Sequence, residues 1–406
     1  MSEKAHIRSV GSGVNQRGLR AHNERLILSV LQRHGAMSGR EMALKTALSA
    51  QTISVILRKL ESDNFLCRGK TTKGKVGKPS VPMRLNPDAV FSAGFKVGRR
   101  SAELILMDFC GTIRSQMRTE YDYPLPDMIF DFLQNGLEVL KGHLLPELRD
   151  RVCGLGIAAP FEIWKWGAVT GAEVERFLSW KDIRFEIEVA KFSQLPIYAV
   201  NDATGACWAE HVYGRGKEFR DYAYFFISAF IGGGVVLNHS VFEGYRGNAG
   251  ALGSLRARNR HGDSCQLVDV ASIHVLAARL TQHGLDARQL WHLPRDWSAF
   301  AAYVDPWIAE TASEVAKASL SACAVIDFEA VVIDGAFPED VKAKLVAQVR
   351  VMLAKQDARG LILPQIIQGT IGDNAQAIGA ACGPIYALFL LNTNSDELFG
   401  APAEPR

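Results

Sequence analysis

The 406-residue chain contains no run of eighteen apolar residues, so no transmembrane helix is expected. Its first residues, MSEKAHIRSVGSG, lack an apolar core, so no secretory leader is expected either. The seven cysteines (Cys67, Cys110, Cys153, Cys207, Cys265, Cys323, Cys382) are scattered and odd in number, and no CxxC pair occurs. That usage fits reduced thiols in a cytoplasmic protein. A hydrophobic fraction of 48% leaves no room for wholesale disorder and is ample for two or three domain cores. Charge of one sign is also scarce overall, with a formal net charge of +3, but the balance is uneven. Residues 1–86 hold 16 Lys and Arg against 5 Asp and Glu, and the remainder holds 30 against 38. A basic head on an acidic body points the head toward a polyanion.

Within that head, residues 38–61 (SGREMALKTALSAQTISVILRKLE) read as two short helices joined by a tight turn, a helix-turn-helix. Ser49 is a suitable N-cap for the second helix. Ile53, Ile56, Leu57 and Leu60 fall at i, i+3, i+4 and i+7 and form its buried face. Ser49, Gln51, Thr52, Ser54 and Arg58 are the candidate contacts to base edges and phosphates, with Lys59 on the same face. Residues 1–22 are Gly-rich and basic and read as a flexible arm, and Asn23–His34 as a first helix. The segment NFLCRGKTTKGKVGKPSVPMRLNP reads as a β-hairpin wing, whose Lys73, Lys75 and Lys78 can meet phosphates or a narrow minor groove. Residues 23–86 are thus expected to form a winged helix-turn-helix, ending at Asn86-Pro87-Asp88.

Beyond that boundary the pattern is α/β. FSAGFKVGRRSAELILMDFCGTI reads as two strands around a turn, VCGLGIAAP as a buried strand, and PIYAV as a strand ending at Asn201-Asp202. YAYFFISAF, a Gly-rich turn and GVVLNHSVFEG begin a second cycle, so the fold reads as duplicated. Long helices are expected over 267–283 and 306–323, then a strand EAVVIDGA and a final strand-turn-helix.

In order and spacing, GFKVGRRSAELILMDFCGTI, GLGIAAP, PIYAVNDATGACWAE, IGGGVVLNHSVFEGYRGNAGALG and GTIGDNAQAIGAA resemble the ROK family (repressors, open reading frames and sugar kinases) over nearly the whole chain. The resemblance implies an α/β protein in which the winged helix-turn-helix precedes a two-lobed actin/hexokinase-like (RNase H-like) body. Lobe 1 would be residues 87–203, lobe 2 residues 204–366, and residues 367–390 a C-terminal helix returning to lobe 1. It also implies a sugar cleft between the lobes, and transcriptional regulation where a winged helix is present.

Phosphoryl transfer needs a base, a Mg²⁺ carboxylate and backbone amides around phosphates. Asp202 matches the family's catalytic base. The family's first phosphate loop, D-x-G-G-T, is here Lys96-Val97-Gly98-Arg99-Arg100. Its second, G-T-G-x-G-G-G, is Ser228-Ala229-Phe230-Ile231-Gly232-Gly233-Gly234. Kinase activity is therefore not expected, and Asp202 is a vestigial base position; an active sugar kinase with a DNA-binding head is the alternative. Arg99 and Arg100 read as surface residues released from constraint, the other reading being contact with an anionic ligand. The family's structural zinc site also looks lost. Ser254 stands for its histidine, Cys265 is the single cysteine of the following loop beside His261 and Asp263, and no metal or other cofactor is expected. Packing by Leu252, Leu255 and Leu267 is expected to fix that loop instead.

Of the sugar-holding positions that the family implies, Asn201 and Asp202 remain, while Ala251 replaces a Glu and Ser254 the His. A retained but altered ligand, a small carbohydrate or polyol, would be held by Asn201, Asp202, Glu243, Asn248 and Ser254; in the competing reading the cleft has lost its ligand. Trp164, Trp166 and Trp180 are either sugar-stacking faces or packing. The expected function is a sugar-responsive, DNA-binding repressor of carbohydrate uptake or catabolism genes. It would be cytoplasmic and associated with the bacterial nucleoid, have no membrane partner, and act as a homodimer or dimer of dimers on a double-stranded operator. A ligand-independent architectural DNA binder is a third possibility.

Overall fold

A computed structural model describes residues 16–69, 81–160, 163 and 178–391. These divide into two compact units, one taking the described residues up to Ala89 together with Phe389–Leu391, the other Val90–Leu388.

The first unit holds α1 (Gln16–His34), α2 (Gly39–Thr46), α3 (Ala50–Ser62), β1 (Leu66–Arg68) and β2 (Met83–Leu85). Helix α1 starts at Gln16 rather than Asn23, so residues 16–22 are helical and not part of a loose arm. That stretch contains no proline, and Arg20 pairs with Glu24 one turn on at 3.1 Å. Helix α2 opens with a capping box: Glu41 N donates to Ser38 Oγ (3.3 Å) and Ser38 N to the Glu41 carboxylate (2.7 Å). It ends at Ala47 in the left-handed region, φ +56°. Ser49 then caps α3, its hydroxyl accepting from Thr52 N at 3.1 Å. Ile53, Ile56 and Leu60 are buried, as their spacing requires, and Leu57 is half-buried. They pack with Ile27, Leu31 and Met42, so the three helices share one core. Strands β1 and β2 pair antiparallel, Leu66 opposite Leu85, and Met37 adds a bridge to Met83 with two backbone bonds of 3.0 and 2.8 Å. This is a winged helix; the hairpin tip carrying Lys73, Lys75 and Lys78 lies outside the described residues.

The second unit runs β3 (Phe91–Val97), β4 (Ser101–Asp108), β5 (Ile113–Glu120), α4 (Pro126–Gly142), β6 (Val152–Ala159), α5 (Phe185–Ala190), β7 (Ile197–Asn201) and α6 (Asp202–Tyr213). It continues with β8 (Tyr222–Ile227), β9 (Ile231–Leu237), β10 (Ser240–Phe242), β11 (Arg256–Arg258), β12 (Ser264–Gln266), α7 (Val268–Ala271), α8 (Ile273–Gln282), α9 (Ala301–Val325), β13 (Ala330–Gly335), α10 (Glu339–Ala354), β14 (Gln365–Gln368) and α11 (Ala375–Phe389). Two five-stranded sheets result, in the orders β5-β4-β3-β6-β7 and β10-β9-β8-β13-β14. In each, a three-stranded antiparallel meander is followed by two parallel strands. The matching orders show the duplication that the two strand-turn-strand openings imply.

Three local differences from the sequence reading have physical reasons. Strand β5 is an additional edge strand; its polar residues, half of them facing solvent, leave no apolar run. Gly232, Gly233 and Gly234 lie inside β9 and not in a turn; a Cβ on Gly234 would meet Cys207 of α6 at 2.5 Å, so the glycines admit the helix. The helix expected over 267–283 breaks at Ser272, where the extended backbone leaves Oγ to accept from Ile231 N at 3.0 Å.

Helix α11 lies flush on the first sheet. A Cβ on Gly94 or Gly156 would come within 2.2 Å of Ala377 O or 1.8 Å of Ala380 O, and Gly379 meets Gly205 of α6 as closely. Ser92 Oγ ties the contact by donating to Ala381 O at 2.7 Å. These close approaches set the N-terminus of α11 beside the N-terminus of α6, where the candidate site lies.

Candidate functional site: an exposed helix face and a cationic cleft

On the head, Gln51, Ser54 and Arg58 are exposed on α3, and Thr52 is half-buried. The Ser49 and Thr52 hydroxyls lie 2.8 Å apart and are engaged in the cap. Arg58 Nε donates to Ser54 O at 3.2 Å, which lays the guanidinium along the exposed face. Lys59 differs from the sequence reading. It bridges Glu24 and Asp63, both at 3.1 Å, and these hydrogen bonds raise its pKa. It therefore staples α3 to α1. Val55, 46% exposed between Ser54 and Arg58, is a contact candidate that the sequence reading missed; an apolar side chain there suits a thymine methyl.

In the body, a cleft of about 720 Å³ is lined by residues from both sheets. Its floor is the end of β7. Asn201 Oδ1 caps α6, accepting from Ala203 N (3.1 Å) and Thr204 N (3.4 Å). Asp202 Oδ1 accepts from Ala203 N (2.9 Å), and Oδ2 from Gln376 Nε2 of α11 (2.7 Å). Burial pushes the Asp202 carboxyl up to about 6, against the opposing pull of the helix amide and Lys96. Both residues find partners within the protein, so their burial does not by itself call for a ligand. Asn248 and Ser254 line the same cleft. Glu243 is a correction: it is absent from the lining and instead accepts from Trp208 Nε1 at 3.3 Å. Trp180 is buried against Phe130 and Phe185 and donates to Pro124 O, so it is packing; Trp164 and Trp166 lie outside the described residues.

The opposite wall brings the two altered phosphate loops together. Gly98 N donates to Ser101 O at 3.0 Å, closing the β3–β4 turn on Arg99 and Arg100. Arg100 is half-exposed at the cleft rim and pairs with Asp122 at 3.2 Å. Arg99 is not: it is 9% exposed, with its guanidinium carbon 5.2 Å from the centroid of the Phe230 ring. Burial, and then the neighbouring Arg100, lower its pKa to about 10, so it remains charged at neutral pH. His274 of α8 meets the Phe230 ring edge-on at 5.8 Å. Burial first, then Arg99 and Arg100, depress its pKa to about 4, so it is neutral. The first amides of α8, Ile273 N and His274 N, are taken by Ser228 O and Ala229 O. Lys96, whose pKa is lowered chiefly by burial, Arg118 and Arg295 complete a wall of positive charge.

Among the described residues no group of three or more His, Cys, Asp and Glu is placed to hold a metal. Cys265 sits on β12, and the His261 and Asp263 amides both turn back to Asn259. The donor set does not fit the family's structural zinc. Leu252 and Leu267 are buried there, and Leu267 N bonds Leu255 O at 2.8 Å, so apolar packing fixes the loop.

The family decides how these two sites belong together. Residues 92–383 match the ROK family, and residues 20–66 match the winged helix-turn-helix DNA-binding family. The chain belongs to the ROK family. It is 23% identical to the uncharacterized protein y4fQ of Sinorhizobium fredii over 95% of this chain and 97% of that one. It is 24% identical to the xylose repressor of Bacillus spizizenii over 57% of this chain and 60% of the repressor. Its fold matches the crystal structure of a ROK family transcriptional regulator, a homologue of the E. coli MLC protein, with a TM-score of 0.64 at 20% identity, over 91% of this chain and 97% of that one. No described helix is long and apolar enough to cross a membrane.

Proposed function

We propose that this ROK chain is a sugar-responsive transcriptional regulator, a repressor of carbohydrate uptake or catabolism genes. In this reading it acts in the bacterial cytoplasm, as a homodimer or dimer of dimers on a near-palindromic operator. The observation that carries it is the Arg99–Phe230 stack in a chain that also presents Gln51, Ser54 and Arg58 on a winged helix. Side chains occupy the place where a kinase offers glycine amides to phosphate, so the head is the output and the cleft the sensor. The likeness to a xylose repressor supports the same assignment. Asn201, Asp202, Asn248 and Ser254 supply hydroxyl-binding groups for a small carbohydrate or polyol. The test is operator affinity, by fluorescence anisotropy, across a panel of sugars and polyols. At least one should shift it, and the response should disappear in Asp202→Ala.

One observation favours a second reading, a retained kinase: Asp202 is held at a strand end with its carboxyl near 6, a range suited to a general base. ATP turnover over the same panel distinguishes the two. Sugar-dependent turnover lost in Asp202→Ala would establish the kinase.

A further inference from the structure

Among the described residues, cations outnumber carboxylates in the lining of the cleft. Lys96, Arg99, Arg100, Arg118 and Arg295 line it against two carboxylates, Asp202 and Asp269. Several of the cations are accounted for. Arg295 is paired with Asp373 at 2.8 Å, Arg100 with Asp122, and Arg118 Nη2 with Trp291 O at 3.1 Å and Glu120 at 3.3 Å. Arg99 is different. Nine-tenths buried, it has neither an ion pair nor a hydrogen bond among the described residues, and its guanidinium lies over the face of Phe230. A guanidinium carries five N–H donors, and leaving them dry and unpaired is costly. A second donor in the same wall is also unmet: Arg118 Nε is buried without a hydrogen-bond partner. An unpaired guanidinium in the β3–β4 turn, with a partly unmet one on β5 of the same sheet, both lining one cavity, makes an anion receptor without an anion.

We propose that this wall binds the phosphoryl group of a phosphorylated ligand, with Arg99 as its principal contact and Arg118 and Lys96 beside it. The inference rests on the sensor reading above and names its ligand class, a phosphate monoester. The polyol part would lie over Asn201, Asp202, Asn248 and Ser254, and the phosphoryl oxygens against Arg99. The Phe230 ring holds the guanidinium plane in place, and the first amides of α8 are already bonded to Ser228 and Ala229, so side chains and not a helix end recognise the anion. A phosphosugar, free phosphate and a nucleotide share this chemistry, and the test separates them.

The experiment uses the full chain and its Arg99→Gln, Arg118→Gln and Arg99→Lys variants, with Arg359→Gln, at an exposed residue outside the cleft lining, as the surface control. Thermal unfolding is followed in potassium phosphate against potassium chloride at equal ionic strength, then with glucose, glucose 6-phosphate and ATP in chloride. The expected result is a rise in melting temperature with phosphate and with glucose 6-phosphate. Arg99→Gln should weaken the phosphorylated probes by about tenfold or more, Arg99→Lys and Arg118→Gln by less, and Arg359→Gln hardly at all. Affinity for neutral glucose should stay within about twofold throughout. A response to ATP that fails in Arg99→Gln supports the receptor and assigns it to a nucleotide. Responses to every phosphorylated probe that are absent, or unchanged by Arg99→Gln, overturn the inference. If neutral sugars still shift operator affinity in that case, the regulator reading stands without it. If phosphate binds through Arg99 but no probe moves operator affinity, the receptor stands and the regulator reading falls.

Discussion

Replacing Asp202 by Asn and His274 by Gln should tilt the pH dependence of stability in opposite directions. In the folded protein the Asp202 carboxyl titrates near 6 in place of 3.8, so the folded state binds the proton more tightly than the unfolded chain. Stability held below pH 3.8 is lost as pH rises through 6. His274 is depressed from 6.5 to about 4, so the folded state binds its proton less tightly, and stability held above pH 6.5 is lost as pH falls toward 4. At about 1.4 kcal/mol per pKa unit the shifts correspond to at most about 3 kcal/mol for Asp202 and about 3.5 kcal/mol for His274, and solvent screening reduces each to about 2 kcal/mol. Within the wild type the two slopes oppose each other and largely cancel between pH 4 and 6.5. Taken relative to wild type, Asp202→Asn should therefore gain about 2 kcal/mol between pH 4.5 and 7, while His274→Gln should lose about as much. Urea titrations at fixed ionic strength, followed through the body's transition, measure both. Any loss of the Gln376 bond in Asp202→Asn is independent of pH and shifts the curve without tilting it. Two variants whose curves run parallel to wild type would refute the placement of both groups.

Three further outcomes follow from the geometry. Arg58→Ala should weaken operator binding by about 1–3 kcal/mol with relaxed specificity if Arg58 reads a base; a smaller, sequence-independent loss with a shallower salt slope makes it a phosphate contact. Ala47→Gly should stabilise the head by about 0.5–1 kcal/mol, read as its thermal midpoint, because Ala47 sits at φ +56° in the turn between α2 and α3. Gly156→Ala should cost about 3 kcal/mol or more, measured in urea, because its Cβ would lie 1.8 Å from Ala380 O and push α11 off the sheet.

Different physical signals made different parts of this molecule legible. Helix α3 was visible because burying one side of a helix leaves a 3.6-residue period, which Ile53, Ile56 and Leu60 obey. The end of β7 was visible because an apolar strand stops at two polar residues. Strand β5 was hidden because an edge strand with a wet face carries no apolar run. Gln376 was hidden because its bond to Asp202 spans 174 residues of chain, and nothing local marks it. Arg99 is the instructive error. Both altered loops were evident as residues, but Arg99 was read as a surface side chain because it lies over Phe230, which belongs to the β8–β9 turn, 131 residues away in sequence. Glu243 was misplaced for a related reason: its nearness in sequence to the cleft loop did not reveal that Trp208 holds it away.

In the proposed function the cleft controls the winged helix. The most direct measurement is the operator affinity of the full-length protein, by fluorescence anisotropy, titrated with neutral and phosphorylated sugars in parallel with Asp202→Ala. At least one ligand should change the dissociation constant by about tenfold or more in the wild type, and leave Asp202→Ala unresponsive while that variant still binds the operator. Ligands that saturate the cleft by calorimetry yet leave operator affinity unchanged would contradict it.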